Sequence, residues 1–152
     1  MTHARTLTVP AVLDSLVPVK AFVDNLAIQA ELEMHKAYQL RLAVEELLTN
    51  IIVHGYGAAR PDGQIVVEGD ASGHRVCVRL IDTAMRFDPV HAPEPTDLDR
   101  PLHERTVGSL GLYLVRHSVD DLSYEYVDGA NRTTVIVNAV PAHVPQGGRR
   151  ER

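Results

Sequence analysis

The sequence predicts an α+β fold: a two-layer sandwich with a mixed, mostly antiparallel sheet and helices on one face. Three observations carry that expectation. Apolar residues recur at spacings of three and four over two separate stretches, as on amphipathic helices. Two turn signals, Ser72-Gly73 and Asp128-Gly129, each join a pair of alternating runs, which makes hairpins. The order is strand, helix, helix, strand, strand, long loop, helix, strand, strand, with no internal repeat or linker.

Each element has its own warrant. Residues 6–10, TLTVP, alternate polar and apolar and stop at Pro10, which suits a short first strand. From Asp14 the apolar residues Leu16, Val19, Phe22, Val23, Leu26 and Ala27 fall on one helical stripe. Asp14 or Ser15 is placed to cap its start, and Pro18 to delay the first regular turn. A second helix is expected over 35–53 on the stripe Leu40, Val44, Leu47, Leu48 and Ile51, with Gly55 ending it as a C-terminal cap. Residues 54–63, HGYGAARPDG, read as a loop. QIVVEGD (64–70) and HRVCVRLID (74–82) read as a strand pair, with Val76, Val78 and Leu80 on one face.

Residues 88–107 hold four prolines and two histidines without an apolar period, and read as a functional lid. A third helix follows over about 111–117, with Leu112, Val115 and Val119 inward. LSYEYV (122–127) and NRTTVIVNAV (131–140) form the closing hairpin, and the basic tail 141–152 is expected to be mobile.

Composition narrows the function. The chain has 152 residues, a hydrophobic fraction of 45% and a charged fraction of 23%, as in an ordinary globular domain. A net charge of -5 argues against direct nucleic-acid binding through the overall field. One cysteine, Cys77, excludes an internal disulfide, and no apolar run is long enough to span a bilayer. The N-terminus lacks the apolar core of a secretory signal, so a cytoplasmic single domain with no membrane contact is expected.

Several residues can carry chemistry. Glu46 and Asn50 are four apart on the second helix and so share a face, with His54 near them. A carboxylate beside a carboxamide suits a general base and a neutral oxygen ligand for Mg²⁺; the same pair also suits a solvated helix flank. Asp82 ends a strand, where a carboxylate can accept a hydrogen bond from an exocyclic amine or simply form a turn. Thr133 shares a strand face with Val135 and Val137 and can supply a hydroxyl nearby, or serve as a β-branched strand residue. Gly108 and Gly111 precede or open the third helix, where backbone amides can approach an anion or merely serve the turn. No P-loop, zinc-protease or serine-hydrolase signature is present.

In their order along the chain, these pieces resemble a known family. EELLTNIIVHGYG is similar to the N-box of the GHKL ATPases, which include histidine kinases, gyrase B and Hsp90. IDTAMRFDP resembles their first glycine box in its D-x-G…F-D-P form, and VGSLGLYLVRHSVDDLSYEYVDGANRTTVIV resembles the second glycine box and closing hairpin. The FDP ending, short lid and lone-domain length resemble one branch, the anti-sigma-factor serine kinases of the RsbW and SpoIIAB type. The resemblance covers residues 6–140.

It implies a Bergerat-type, histidine kinase-like ATP-binding domain over 6–140, with ATP and Mg²⁺ as cofactors. Glu46 would be the base, Asn50 would hold Mg²⁺, and Asp82 would read the adenine amine with Thr133 behind it. His54, Ala84 and Phe87 would complete the nucleotide site, and Gly108, Leu110 and Gly111 would form a phosphate-facing hinge. The implied partners are an anti-anti-sigma (STAS-domain) protein as substrate, a sigma factor to sequester, and a second copy in a homodimer.

Two positions depart from the family pattern: Ala84 stands where the first box carries Gly, and Arg132 where the closing strand carries Gly. A left-handed backbone at Ala84 would cost on the order of 1–2 kcal/mol, and its methyl would intrude if close ligand approach required Gly. That departure supports an alternative, a partner-binding module that keeps the fold without ATP turnover. A detached histidine-kinase catalytic domain is disfavoured, because no upstream dimerisation helix with a phospho-accepting His is found.

Overall fold

Thr6, Thr8 and Pro10 alternate with Leu7, Val9 and Ala11, and this run forms β1 (Arg5–Ala11) in the computed structural model, which describes residues 4–92 and 109–139. Pro10 is tolerated because β1 lies at the sheet edge, where a missing N–H breaks no ladder between strands. A single 3₁₀ turn, Leu13–Ser15, leads into α1 (Leu16–Gln29). Pro18 falls in the first helical turn, where its missing N–H has no intrahelical partner to lose. Neither Asp14 nor Ser15 caps the helix, contrary to expectation. The buried Ser15 hydroxyl instead donates to the Pro10 carbonyl at 2.6 Å, tying the helix start to the edge strand.

The end of α1 closes through bonds from Glu31 N–H to the Ile28 carbonyl and from Leu32 N–H to the Ala27 carbonyl, with Glu31 left-handed at φ 54°. Helix α2 (Met34–Asn50) then runs into a π-helical turn, Ile51–Gly55, in which Tyr56 N–H reaches back to the Ile51 carbonyl. Gly55 is therefore inside the turn and not its left-handed cap; that conformation falls to Gly57 and Ala58. The expected 54–63 loop is also shorter than its glycines suggested, because β2 (Arg60–Ser72) begins at Arg60.

Strands β3 (Arg75–Asp82), β4 (Asp121–Val127) and β5 (Ala130–Asn138) complete a five-stranded sheet in the order β1-β2-β3-β5-β4. The mostly antiparallel expectation holds: the four pairings among the described residues are all antiparallel. Helix α3 (Ser109–Ser118) precedes β4. Of the expected lid, residues 93–107 lie outside the described residues, as does the tail 141–152.

The core lies between the sheet and the helices. Period two turns Ile65, Val67, Val76, Val78, Leu80, Val135 and Val137 to the helix side, where each is fully buried. They meet Val19, Val23 and Leu26 of α1, Leu40, Val44 and Leu48 of α2, and Val115 of α3. Gly69 keeps β2 low under α1, since a Cβ there would overlap Leu26 and crowd Phe22. No helix among the described residues is long and apolar enough to cross a membrane. Leu48 is central and fully buried, so Leu48→Ala is expected to cost about 2–5 kcal/mol, read from the urea unfolding midpoint.

Candidate functional site

The antiparallel register of β3 and β5 sets Asp82 opposite Asn131 and Leu80 opposite Thr133. Asp82, Asn131 and Thr133 are all buried at the mouth end of the core. A buried carboxylate is costly without donors, and Asp82 has two. Its Oδ1 accepts the Ala84 N–H at 3.0 Å and the Asn131 Nδ2 at 2.9 Å. Asn131 also donates to the carbonyls of Ala84 and Met85, at 3.2 and 3.3 Å. Its own oxygen accepts the Phe87 N–H at 3.2 Å and the Tyr124 hydroxyl at 2.5 Å. One side chain thus holds the segment 82–87 against the sheet end. A second tie comes from Tyr56, whose hydroxyl donates to the Gln64 carbonyl at 2.9 Å and accepts the Thr83 N–H at 3.0 Å.

These ties leave an open cavity of about 120 Å³. Leu47, Asn50 and Ile51 from α2 and its π turn form one wall, and Met85, Arg86, Phe87 and Pro89 form another. Leu112 of α3 closes a side, while Asp82, Asn131 and Thr133 supply polar atoms. A mostly apolar cleft with a few convergent polar groups suits a flat heteroaromatic ligand. Met85 and Phe87 are exposed large apolar side chains at its mouth, and Arg86 stacks over Tyr126, 4.8 Å from the ring centre.

Desolvation pushes the Asp82 carboxyl above its usual range, while the donors from Asn131 and Ala84 pull it back in part. Asn50 lines this cavity, and its side-chain nitrogen is buried without a hydrogen-bond partner among the described residues. Turning the amide over would put its oxygen in that place, as a neutral ligand for a cation. His54 is exposed on the cavity rim.

Not every expected residue joins the cavity. Glu46, one turn before Asn50, is off its wall; a Cβ at Gly111 would overlap the Glu46 carboxylate, so α3 starts directly over that group. Close backbone approach is thus the physical need for glycine at position 111. Gly108 lies outside the described residues, as does the Leu110 side chain. Ala84 does not line the cavity, and its backbone is not left-handed, so the strain that conformation would bring does not arise. Its methyl faces Gly55, where an added Cβ would lie 2.8 Å away, so the missing glycine of the loop is matched by one in the π turn. Arg132 alternates with the buried Asn131 and Thr133, which sends its side chain to the opposite sheet face, toward Glu125.

Sequence reading missed Asn131, Tyr124 and Tyr56. For Asn131 a signal existed: period two puts it on the same buried face as Thr133, Val135 and Val137.

Comparison with known proteins agrees with this geometry. The sequence profile of the histidine kinase-like ATPase domain family matches residues 9–138, and the chain belongs to that family. The serine/threonine-protein kinase BtrW of Bordetella bronchiseptica is 28% identical over 120 residues, 79% of this chain and 83% of the relative. The anti-sigma F factor of Clostridium beijerinckii is 30% identical over 122 residues, 80% of each chain. The serine-protein kinase RsbW of Listeria monocytogenes is 26% identical over 129 residues, 83% of this chain and 82% of that one. Within the superfamily, the chain is therefore a member of the anti-sigma-factor serine kinases. The fold is shared with the crystal structure of the RsbU and RsbW domains of Rv1364c from Mycobacterium tuberculosis, at TM-score 0.62 and 17% identity. That match covers 90% of this chain and 32% of the longer one.

Two predictions follow from the packing and charge of the site. Gly55→Ala is expected to destabilise by about 1–3 kcal/mol through contact with Ala84, and adding Ala84→Gly to restore most of the loss, as a double-mutant cycle of urea midpoints will read. Asp82 has a folded pKa above the unfolded 3.8, so the native state takes up this proton first as pH falls. Its contribution is destabilising at neutral pH and is relieved as pH falls through the folded pKa toward 3.8. The stability of Asp82→Asn relative to wild type should therefore decline from neutral pH to about pH 4, measured by urea unfolding at each pH.

Proposed function

We propose that this chain is an ATP- and Mg²⁺-dependent protein serine kinase that phosphorylates an anti-anti-sigma (STAS-domain) protein and sequesters a sigma factor, as a cytoplasmic homodimer. The observation that carries the nucleotide part is Asp82: a buried acceptor at the end of an apolar cleft, fixed from behind by Asn131. Its carboxylate accepts the adenine amine, Thr133 supports it, and Met85 and Phe87 cover the base.

The divalent ion fits the donor set. Among the described residues no group of His, Cys, Asp and Glu could hold a metal by itself, so Mg²⁺ would be held by Asn50 together with phosphate oxygens. When bound it neutralises developing charge on the phosphates. His54 stands at the rim on the same turn. Gly111 lies in the first turn of α3, whose N-terminus favours anionic oxygens.

Glu46 accepts the proton of the attacking serine hydroxyl; the serine oxygen bonds to the γ-phosphorus as the bond to the β–γ bridging oxygen breaks, releasing ADP. Its carboxylate lies against Gly111, so the start of α3 stands directly over this base. The alternative of a partner-binding module without turnover drew its support from Ala84. With that methyl packed on Gly55, Ala84 leaves the cleft free.

Calorimetric titration with ATP, with and without Mg²⁺, tests the reading. Wild type is expected to bind Mg-ATP, and Asn50→Ala to lose the Mg²⁺-dependent part of that affinity. Glu46→Ala should keep ATP affinity while acid-stable phosphate transfer to a serine falls by about 10²-fold or more. Absence of binding at about millimolar ATP, the upper end of the range of ordinary substrate affinities, would leave only the partner-binding alternative.

A further inference from the structure

The carboxamide of Asn131 has one orientation that suits its surroundings. Its oxygen faces two donors, the Phe87 N–H and the Tyr124 hydroxyl. Its nitrogen faces three acceptors: Asp82 Oδ1 and the carbonyls of Ala84 and Met85. Turned over, it would set N–H against N–H and oxygen against a carboxylate. The group offered to Asp82 is therefore an N–H donor. Among the described residues, both hydrogen bonds reaching Asp82 end on Oδ1, which leaves Oδ2 for the cavity that Asp82 lines.

We propose that Asn131 is the positioning residue that sets the base selectivity of this cleft. It holds Asp82 as a charged acceptor with Oδ2 free, so that the site takes a purine bearing a 6-amino donor and rejects a 6-oxo purine. The inference rests on the nucleotide reading given above. A 6-oxo base would bring an oxygen lone pair against the carboxylate, and only a protonated Asp82 could donate to it. Burial favours that protonated form, and the Asn131 N–H opposes it. Removing the donor therefore erodes selectivity and does more than loosen the loop. Arg86 and His54 face the same cavity, and Tyr124 stands behind Asn131; all three stay in every variant, so wild type at each pH is the reference.

The test is titration of the full chain with ATP and with inosine triphosphate, at about pH 5 and about pH 8, since a carboxyl raised above its ordinary value takes up its proton toward the acid side. Wild type is expected to prefer ATP at both. Asn131→Leu should lower the ratio of ATP to inosine triphosphate affinity about tenfold, and more at the acid end. Asn131→Asp keeps the acceptor for Phe87 and Tyr124 and serves if the leucine variant does not fold. Its new carboxyl donates to Asp82 while protonated and repels it once ionised, so ATP affinity should hold at the acid end and fall at the alkaline end. Opposite pH senses in the two variants are not the signature of a loosened scaffold. If a folded variant weakens both nucleotides in step, with an unchanged ratio, Asn131 is scaffold only and the inference fails alone. Wild type binding neither nucleotide overturns the nucleotide reading and the inference with it.

Discussion

A carboxylate buried at the end of the sheet is the constraint around which this site is arranged. Asp82 is 3% exposed, and a charge so placed needs donors that do not move. The antiparallel register provides one by setting Asn131 directly across the ladder, and the turn after β3 provides another in the Ala84 N–H. Satisfying Asp82 also fixes its neighbours, because the same carboxamide holds the carbonyls of Ala84 and Met85 and the N–H of Phe87. The apolar wall of the cleft therefore stands where it does because a charge behind it had to be met.

Close backbone approach shapes the rest of the site. The π turn after α2 brings Gly55 against the methyl of Ala84, and the first turn of α3 sets Gly111 over the carboxylate of Glu46. In both places a glycine stands where a Cβ would collide with a neighbouring side chain. At the loop, the methyl of Ala84 meets a position that has no Cβ, Gly55. The cleft keeps its room because the extra methyl packs on Gly55 and is not part of the cavity lining. Arg132, the other departure, is carried to the far face of the sheet by strand alternation alone.

Much of the fold could be read along the chain. Helix and strand periods come from burial of one face, and the stripes of α1 and α2 and the alternation of β3 and β5 are clean enough to show it. Asp128-Gly129 turned as read, with both residues left-handed. Errors gathered where the local signal was ambiguous. Ser15 has the chemistry of a helix cap but found a closer partner in the Pro10 carbonyl, and β2 began among residues that look like loop.

The sequence by itself determined the order of elements and their faces, because periodicity is a property of neighbours along the chain; that Asn50, Asp82 and Thr133 belong to one site was implied only by the family resemblance. Only the tertiary structure decided the partners of those residues. That Asn131 meets Asp82 across 49 residues, that Ala84 meets Gly55, and that Gly111 covers Glu46 are contacts set by strand register and helix packing. Such contacts join residues that carry no local signal of one another, since each depends on the distance between elements and not on the composition of either.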